Sequence, residues 1–276
     1  MEPFVLKDEE LFLIQDWMNE TTGLVAGFTT KKGGTSNGKY TSLNVGFHVD
    51  DTFEAVCDNR KKISKLINFP INHWISAQQT HDVHIQRVTK KDRGMGSLSY
   101  HEAFKETDGF FTFDSGVLLI LNFADCVPLY FYAPKEKAIG IAHAGWKGSV
   151  HGIGVKMIDV FKEEGIEPNN IFATIGPSIC EKCYIVDDRV VNLVENALEH
   201  VEKKPYNLIS GNQYYLNLQE LNRQLLLKAG LPEQNIQGTN LCTSCHEEHF
   251  FSHRRDKAMT GRMMSFIGWK EDPIDS

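Results

Sequence analysis

The stretch from Val117 to His143 constrains the fold of this chain most. Three strand-like apolar runs follow one another there: VLLILNF (117–123), PLYFY (128–132) and AIGIA (138–142). Cys126 falls in the break between the first two, directly after Asp125, and the third run ends on His143. A small-residue turn, Ala144-Gly145-Trp146-Lys147-Gly148, comes next, and helical spacing begins near Ser149. A thiol and an imidazole thus fall at strand ends, where a rigid sheet can present side chains to a ligand.

The 276 residues suffice for one large domain or two small ones. No repeat, low-complexity tract or Pro/Ser-rich linker interrupts them, so a single domain over 1–276 is the simpler expectation. A net charge of −7 argues against a nucleic-acid binder, which needs a basic footprint, but leaves room for a small anionic ligand. The start, MEPFVLKDEE, lacks the basic and apolar regions of an export signal, and no run reaches membrane-spanning length. A cytoplasmic protein without membrane contact is expected. In that compartment the six cysteines are metal ligands, a nucleophile or reduced thiols rather than a disulfide framework.

Along the chain, FVL, LFLI and LVAGFTT read as strands within the first 30 residues. Lys31-Lys32-Gly33-Gly34 opens a loop that is either a solvated surface segment or an anion grip of lysines and glycine amides. Asp50 or Asp51 can cap a helix running to about Leu66. Residues 74–79 read as a strand, and continued alternation would put His81 and His84 on opposite faces. Residues 91–107 read as a loop, and Asp108-Gly109 leads into the strand FFTF. A helix is expected from Val150 to Glu164, stopped by Gly165, and Asp187 and Asn217 can cap two more. Interleaved helices and sequential strands indicate an α/β protein with a mixed sheet, or two packed sheets, flanked by helices.

A catalytic zinc commonly has three protein ligands and one open position. Cys126 and His143 supply two, and they would meet only through strand pairing, since 143 − 126 = 17 residues separate them. His81 is a candidate third. A Cys/His/His set suits zinc and also copper, and Asp125 could orient a ligand or move a proton. A rival reading makes Cys126 a nucleophile and His143 its base, which requires direct contact and an oxyanion hole. Cys180-x-x-Cys183 and Cys242-x-x-Cys245 have the internal spacing of a structural four-cysteine zinc site. Their separation, 242 − 183 = 59, exceeds that of compact ribbons, and ordinary reduced thiols are the simpler reading. Lys32, Arg254, Arg255 and Arg262 are candidates for binding phosphate, or else solvated surface charges.

At ADCVPLYFY, GIAHAGWKG and GPSIC the chain resembles the YfiH-like, laccase-domain family of purine nucleoside phosphorylases. AGFTTKKGG, SLNVGFHV, QQTHD and FSHRRD…TGRMMS extend the resemblance over nearly the whole length. It implies α-β-β-α sandwich sheets flanked by helices and one catalytic zinc on His81, Cys126 and His143. It implies phosphorolysis of adenosine, inosine, guanosine and methylthioadenosine to ribose 1-phosphate and free base, with adenosine deamination as well. Relatives have also been called copper-dependent polyphenol oxidases. A multicopper centre needs paired histidines, and no H-x-H occurs here, so Cu²⁺ chemistry ranks below Zn²⁺. A metal-binding module without turnover of its own is the non-enzymatic alternative. Two positions depart from the pattern. Lys147 stands where many relatives carry arginine, and Cys180 stands where glycine is expected, which favours incidental thiols at the Cys180/Cys183 pair.

Overall fold

The computed structural model describes residues 2–271. In chain order its strands are β1 (Phe4–Asp8), β2 (Leu11–Ile14), β3 (Leu24–Thr29), β4 (Trp74–Ile75), β5 (Ile85–Arg87), β6 (Gly109–Thr112), β7 (Val117–Phe123), β8 (Val127–Ala133), β9 (Ala138–Ala144), β10 (Phe172–Ile175), β11 (Ile185–Asp187), β12 (Tyr206–Ser210), β13 (Gln213–Leu216), β14 (Ile236–Gly238) and β15 (Met263–Trp269). The α-helices are α1 (Gln15–Glu20), α2 (Phe53–Leu66), α3 (Trp146–Val150), α4 (Ile153–Glu163), α5 (Asp188–Ala197) and α6 (Leu218–Lys228). Among the described residues none is long and apolar enough to cross a membrane.

Two six-stranded mixed sheets carry the fold, ordered β1-β2-β3-β15-β7-β4 and β14-β10-β8-β9-β6-β5, beside a three-stranded β11-β13-β12 ribbon. Alternation along the central strands explains the layering. On β7, Val117, Leu119, Leu121 and Phe123 face the second sheet, while Leu118 and Ile120 join Ile63 and Ile67 beneath α2. On β8, Tyr130 and Tyr132 enter the inter-sheet core, while Leu129 and Phe131 pack with Met157, Phe161 and Leu226 of the helical layer. A strand covered on both faces is apolar at nearly every position, which is why VLLILNF is a continuous run broken only by Asn122. The result is the helix–sheet–sheet–helix order that the family resemblance implied, and the second of the two arrangements that the interleaved pattern left open.

Local expectations were met unevenly. Asp187 and Asn217 cap α5 and α6 through their side chains, and Gly165 (φ +80) follows α4. Thr52, not Asp50 or Asp51, caps α2, because the Asp51 carboxylate is drawn off by Ser36 and Asn44. The helix expected over 150–164 is α4, which starts three residues late because Gly152 (φ +81) separates it from the short α3 ending at Val150. The strand expected over 74–79 ends at Ile75, and His81 sits in a turn at φ +62 rather than on a strand face. The reason is side-chain competition. Asp108 captures the amides of residues 80–82, and the Gln79 amide takes the place of a backbone partner on Asn122.

Candidate metal centre and its cavity

Strand pairing closes the distance between Cys126 and His143. β8 and β9 form an antiparallel hairpin with Val127 opposite Ala144 and Pro128 opposite His143. Cys126, one residue before β8, therefore lies diagonally beside His143. His143 alternates onto the inter-sheet side of β9, where its ring meets Phe123 edge-on at 5.2 Å. His81 arrives from the first sheet on the turn after β4, with ring centroids of His81 and His143 4.6 Å apart. The Cys126 sulfur and one nitrogen from each ring all lie within 4.8 Å of one another. They converge at the open end of the sandwich.

Asp108 builds this convergence. Its carboxylate is fully buried and accepts five hydrogen bonds. Oδ1 takes His143 Nδ1 at 2.7 Å and the His81 amide at 3.0 Å. Oδ2 takes the Thr80 and Asp82 amides at 3.0 Å each and the Thr80 hydroxyl at 3.1 Å. One side chain thus fixes both the His143 ring and the turn that aims His81. Donation from Nδ1 leaves His143 Nε2 with a lone pair for a metal, the usual second layer of a histidine site.

Without a metal the centre is a thiolate–imidazolium pair, and a bound metal would displace the proton that His143 Nε2 then carries. Burial would raise the Cys126 thiol, but the His143 charge and hydrogen bonds from His143 and His81 pull it down to about 6. Burial would lower His143, yet the Cys126 thiolate and Asp108 lift it to about 9. Burial works against the Asp108 charge, and the His143 hydrogen bond and charge with the Asp82 and Thr80 amides overcome it, to about 2. The metal-free centre therefore holds a thiolate, the form that ligates. Gly145 leaves the space: a Cβ there would lie 2.9 Å from Cys126 Sγ and 3.1 Å from His81 Cδ2. Soft sulfur and two imidazoles in a glycine-cleared cradle fit a zinc-type ion with an open position. The contact between Cys126 and His143 that a cysteine hydrolase requires is present too, but such a pair has no use for a second imidazole.

His81, Cys126 and His143 line a cavity of about 390 Å³, within the range of small-molecule sites. Arg254 and Arg262 line it as well; Lys32 and Arg255 do not. Arg262 spends Nη1 on the Thr260 and Gly261 carbonyls. Arg254 gives Nη1 to the Ile185 carbonyl and lies 4.8 Å over the Tyr184 ring. The Arg255 guanidinium is consumed internally, by Asp256 and the Thr243, Ser244 and Phe250 carbonyls. The glycines of the Lys31–Gly34 loop serve close packing. A Cβ at Gly34 would lie 2.1 Å from the Ser42 carbonyl, and one at Gly33 would lie 2.5 Å from the Glu10 carboxylate. That carboxylate already pairs with Lys62 at 2.6 Å, so an acid and not an anion grip sits behind this loop.

Asp125, expected to handle a ligand or a proton, has both oxygens engaged. Oδ1 accepts the Thr243 hydroxyl at 2.6 Å, Oδ2 accepts the Arg254 amide at 2.8 Å, and its carbonyl accepts the Ile179 amide at 3.0 Å. It ties together the segments that wall the cavity. Sequence reasoning missed Asp108, Thr243, Gln79 and Asn122. Asn122 lines the cavity, is 6% exposed, and its Oδ1 is buried without a protein partner. A lone polar residue inside VLLILNF was its signal.

Residues 25–270 match the family model described as multi-copper polyphenol oxidoreductase laccase. The chain belongs to this family. It is 47% identical to the purine nucleoside phosphorylase YlmD of Bacillus subtilis over 273 residues, 98% of either chain. Its structure superposes on the crystal structure of YlmD from Geobacillus stearothermophilus with a TM-score of 0.95 at 43% identity, covering 98% of this chain and 100% of that one. Against the Bacillus licheniformis hypothetical protein YfiH the TM-score is 0.93 at 45% identity, with the same coverage. The fold of this laccase-family chain is thus the YfiH-like one that its motifs implied, and relatives from Bacillus, Geobacillus and Staphylococcus are named for phosphorolysis rather than for oxidation.

Proposed function

We propose that this chain is a zinc-dependent purine nucleoside phosphorylase that converts adenosine, inosine, guanosine and methylthioadenosine to the free base and the sugar 1-phosphate. The observation that carries the reading is a thiolate and two imidazoles converging on one wall of a cavity that also holds two arginines. The names of the relatives supply the reaction class. His81, Cys126 and His143 hold the zinc, which when bound supplies a Lewis acid beside the substrate. Asp108 keeps His143 in the ligating tautomer and holds the His81 turn in place.

Arg262 and Arg254 bind and orient inorganic phosphate by charge-assisted hydrogen bonds. A phosphate oxygen forms the bond to C1′ as the C1′–N9 bond breaks, and the electron pair leaves with the purine. The Asn122 amide, without a partner of its own, hydrogen-bonds the purine and sets its orientation. Asp125 holds the Arg254 and Ile179 segments so that the phosphate side of the cavity keeps its shape. Deamination of adenosine belongs to the same reading as a second activity of the same cavity.

The test incubates zinc-loaded protein with adenosine, with and without phosphate, beside Cys126→Ala, and separates products by chromatography. Phosphate-dependent adenine and ribose 1-phosphate, lost in the variant, are expected. Inosine formed without any need for phosphate would leave deamination as the main activity. No nucleoside turnover, together with oxidation of phenols by copper-loaded protein, would overturn the proposal in favour of the oxidase its family description names.

A further inference from the structure

The chain brings a second set of soft ligands together, away from His81, Cys126 and His143. β10 and β14 run parallel, with Ile175 opposite Gly238. The loops leaving their ends start side by side and touch again at Ser178 and Cys242. The first loop carries Cys180 and Cys183, and the second carries Cys242 and Cys245. The 59-residue separation (242 − 183) that looked too long for a zinc site is filled by β11, α5, β12, β13 and α6, an excursion that returns to the neighbouring strand β14. All four sulfurs lie within 4.8 Å of one another.

We propose that these four cysteines form a second, structural metal site, a tetrathiolate centre for a zinc-type divalent ion. A tetrahedral ion with metal–sulfur bonds of about 2.3 Å sets its sulfurs roughly 3.8 Å apart. Cys180 and Cys245 sulfurs are 3.8 Å apart, and Cys183 and Cys245 sulfurs 3.4 Å apart. All of these cysteines are free, at spacings far beyond a disulfide bond of about 2.05 Å. Two backbone amides, of Cys180 at 3.2 Å and Cys245 at 3.3 Å, donate to the single Cys242 sulfur. Paired amide donors on one sulfur stabilise a thiolate, the state a metal requires. Cys242 is buried and Cys245 exposed, so an ion has a route in.

The site bears on the cavity through its loops. Thr243, between Cys242 and Cys245, donates to Asp125, and Ile179, beside Cys180, donates to the Asp125 carbonyl. Arg255 clasps the second loop by the Thr243 and Ser244 carbonyls. The ion would therefore staple the wall that carries Asp125 and Arg254. This inference does not depend on the reaction proposed above.

The test is elemental analysis of protein purified under reducing conditions without chelator, with Cys245→Ser, whose side chain is at the surface, and Cys126→Ala. Two zinc ions per wild-type chain, one in either variant and none in the double variant are expected. Cobalt substituted into Cys126→Ala should give the sulfur-to-metal charge transfer of a four-sulfur site, absent from the double variant. One zinc per wild-type chain, unchanged by Cys245→Ser, would overturn the proposal. So would an intact mass lower by the two hydrogens of a disulfide between the loops.

Discussion

Asp108→Asn is the most informative single change, because one carboxylate positions two of the three proposed ligands. The substitution keeps shape and removes the charge and one acceptor. Wherever the new amide nitrogen points, it faces at least two donors. On the Oδ2 side it would face the Thr80 and Asp82 amides, now 3.0 Å away. Two buried amides without partners cost about 1–3 kcal/mol each, so roughly 2–6 kcal/mol in total. On the Oδ1 side it would face His143 Nδ1 at 2.7 Å, and the ring would escape by moving its proton to Nε2, the nitrogen needed for the metal. Both routes weaken the centre. Loss of such an outer partner typically lowers metal affinity about 10- to 100-fold. A zinc competition titration against a chromogenic chelator measures the affinity, and thermal unfolding of the zinc-free protein measures the packing cost. The expected result is a fall in affinity of that size with a lower melting temperature. Affinity within about twofold of wild type, in a folded variant, would refute the claim that Asp108 sets the His143 tautomer.

Other outcomes follow from named contacts. Gly145→Ala places a Cβ 2.9 Å from Cys126 Sγ, so activity should drop about 10- to 100-fold with the melting temperature nearly unchanged, read by kinetics and unfolding side by side. Arg262→Met should lower kcat/KM for phosphate by about 10- to 100-fold, the worth of a lost charge-assisted hydrogen bond, while zinc content stays that of wild type. Thr243→Val leaves Asp125 Oδ1 without its 2.6 Å donor and should cost about 1–3 kcal/mol, seen as a melting temperature a few degrees lower. Asn122→Leu, which fills a position with an unpartnered oxygen, should preserve stability and raise KM for the nucleoside, and an unchanged KM would remove Asn122 from base recognition.

What was legible in the sequence were the features with a period or a cap. VLLILNF, the capping Asp187 and Asn217, and the stop at Gly165 are local signals, and each appears in its expected place. The helix over 150–164 formed but starts only at Ile153, because a left-handed glycine separates it from α3 where spacing alone reads on continuously. The strand beyond Ile75 failed for a non-local reason, since Asp108 lies far along the chain from the amides it captures. The same distance hid Asp108 as a site residue: nothing in Asp-Gly before a strand announces a carboxylate with five donors. Charge type alone misled at Lys32 and Arg255, where sequence registers a cation but not that Glu10 and Lys62 back the first loop or that carbonyls consume the second side chain. The two cysteine pairs, spaced internally as for one zinc site, read as too far apart because parallel pairing of β10 and β14, which brings them together, cannot be read from spacing.

The most direct test of the account follows phosphorus itself. Zinc-loaded protein, adenosine and inorganic phosphate are observed together by phosphorus NMR, with the released base quantified in the same tube. The account predicts a growing sugar-phosphate resonance that matches free adenine one for one, and no growth with Cys126→Ala. Base released while inorganic phosphate stays constant would make water the acceptor, and an unchanged spectrum with intact nucleoside would contradict the proposed function outright.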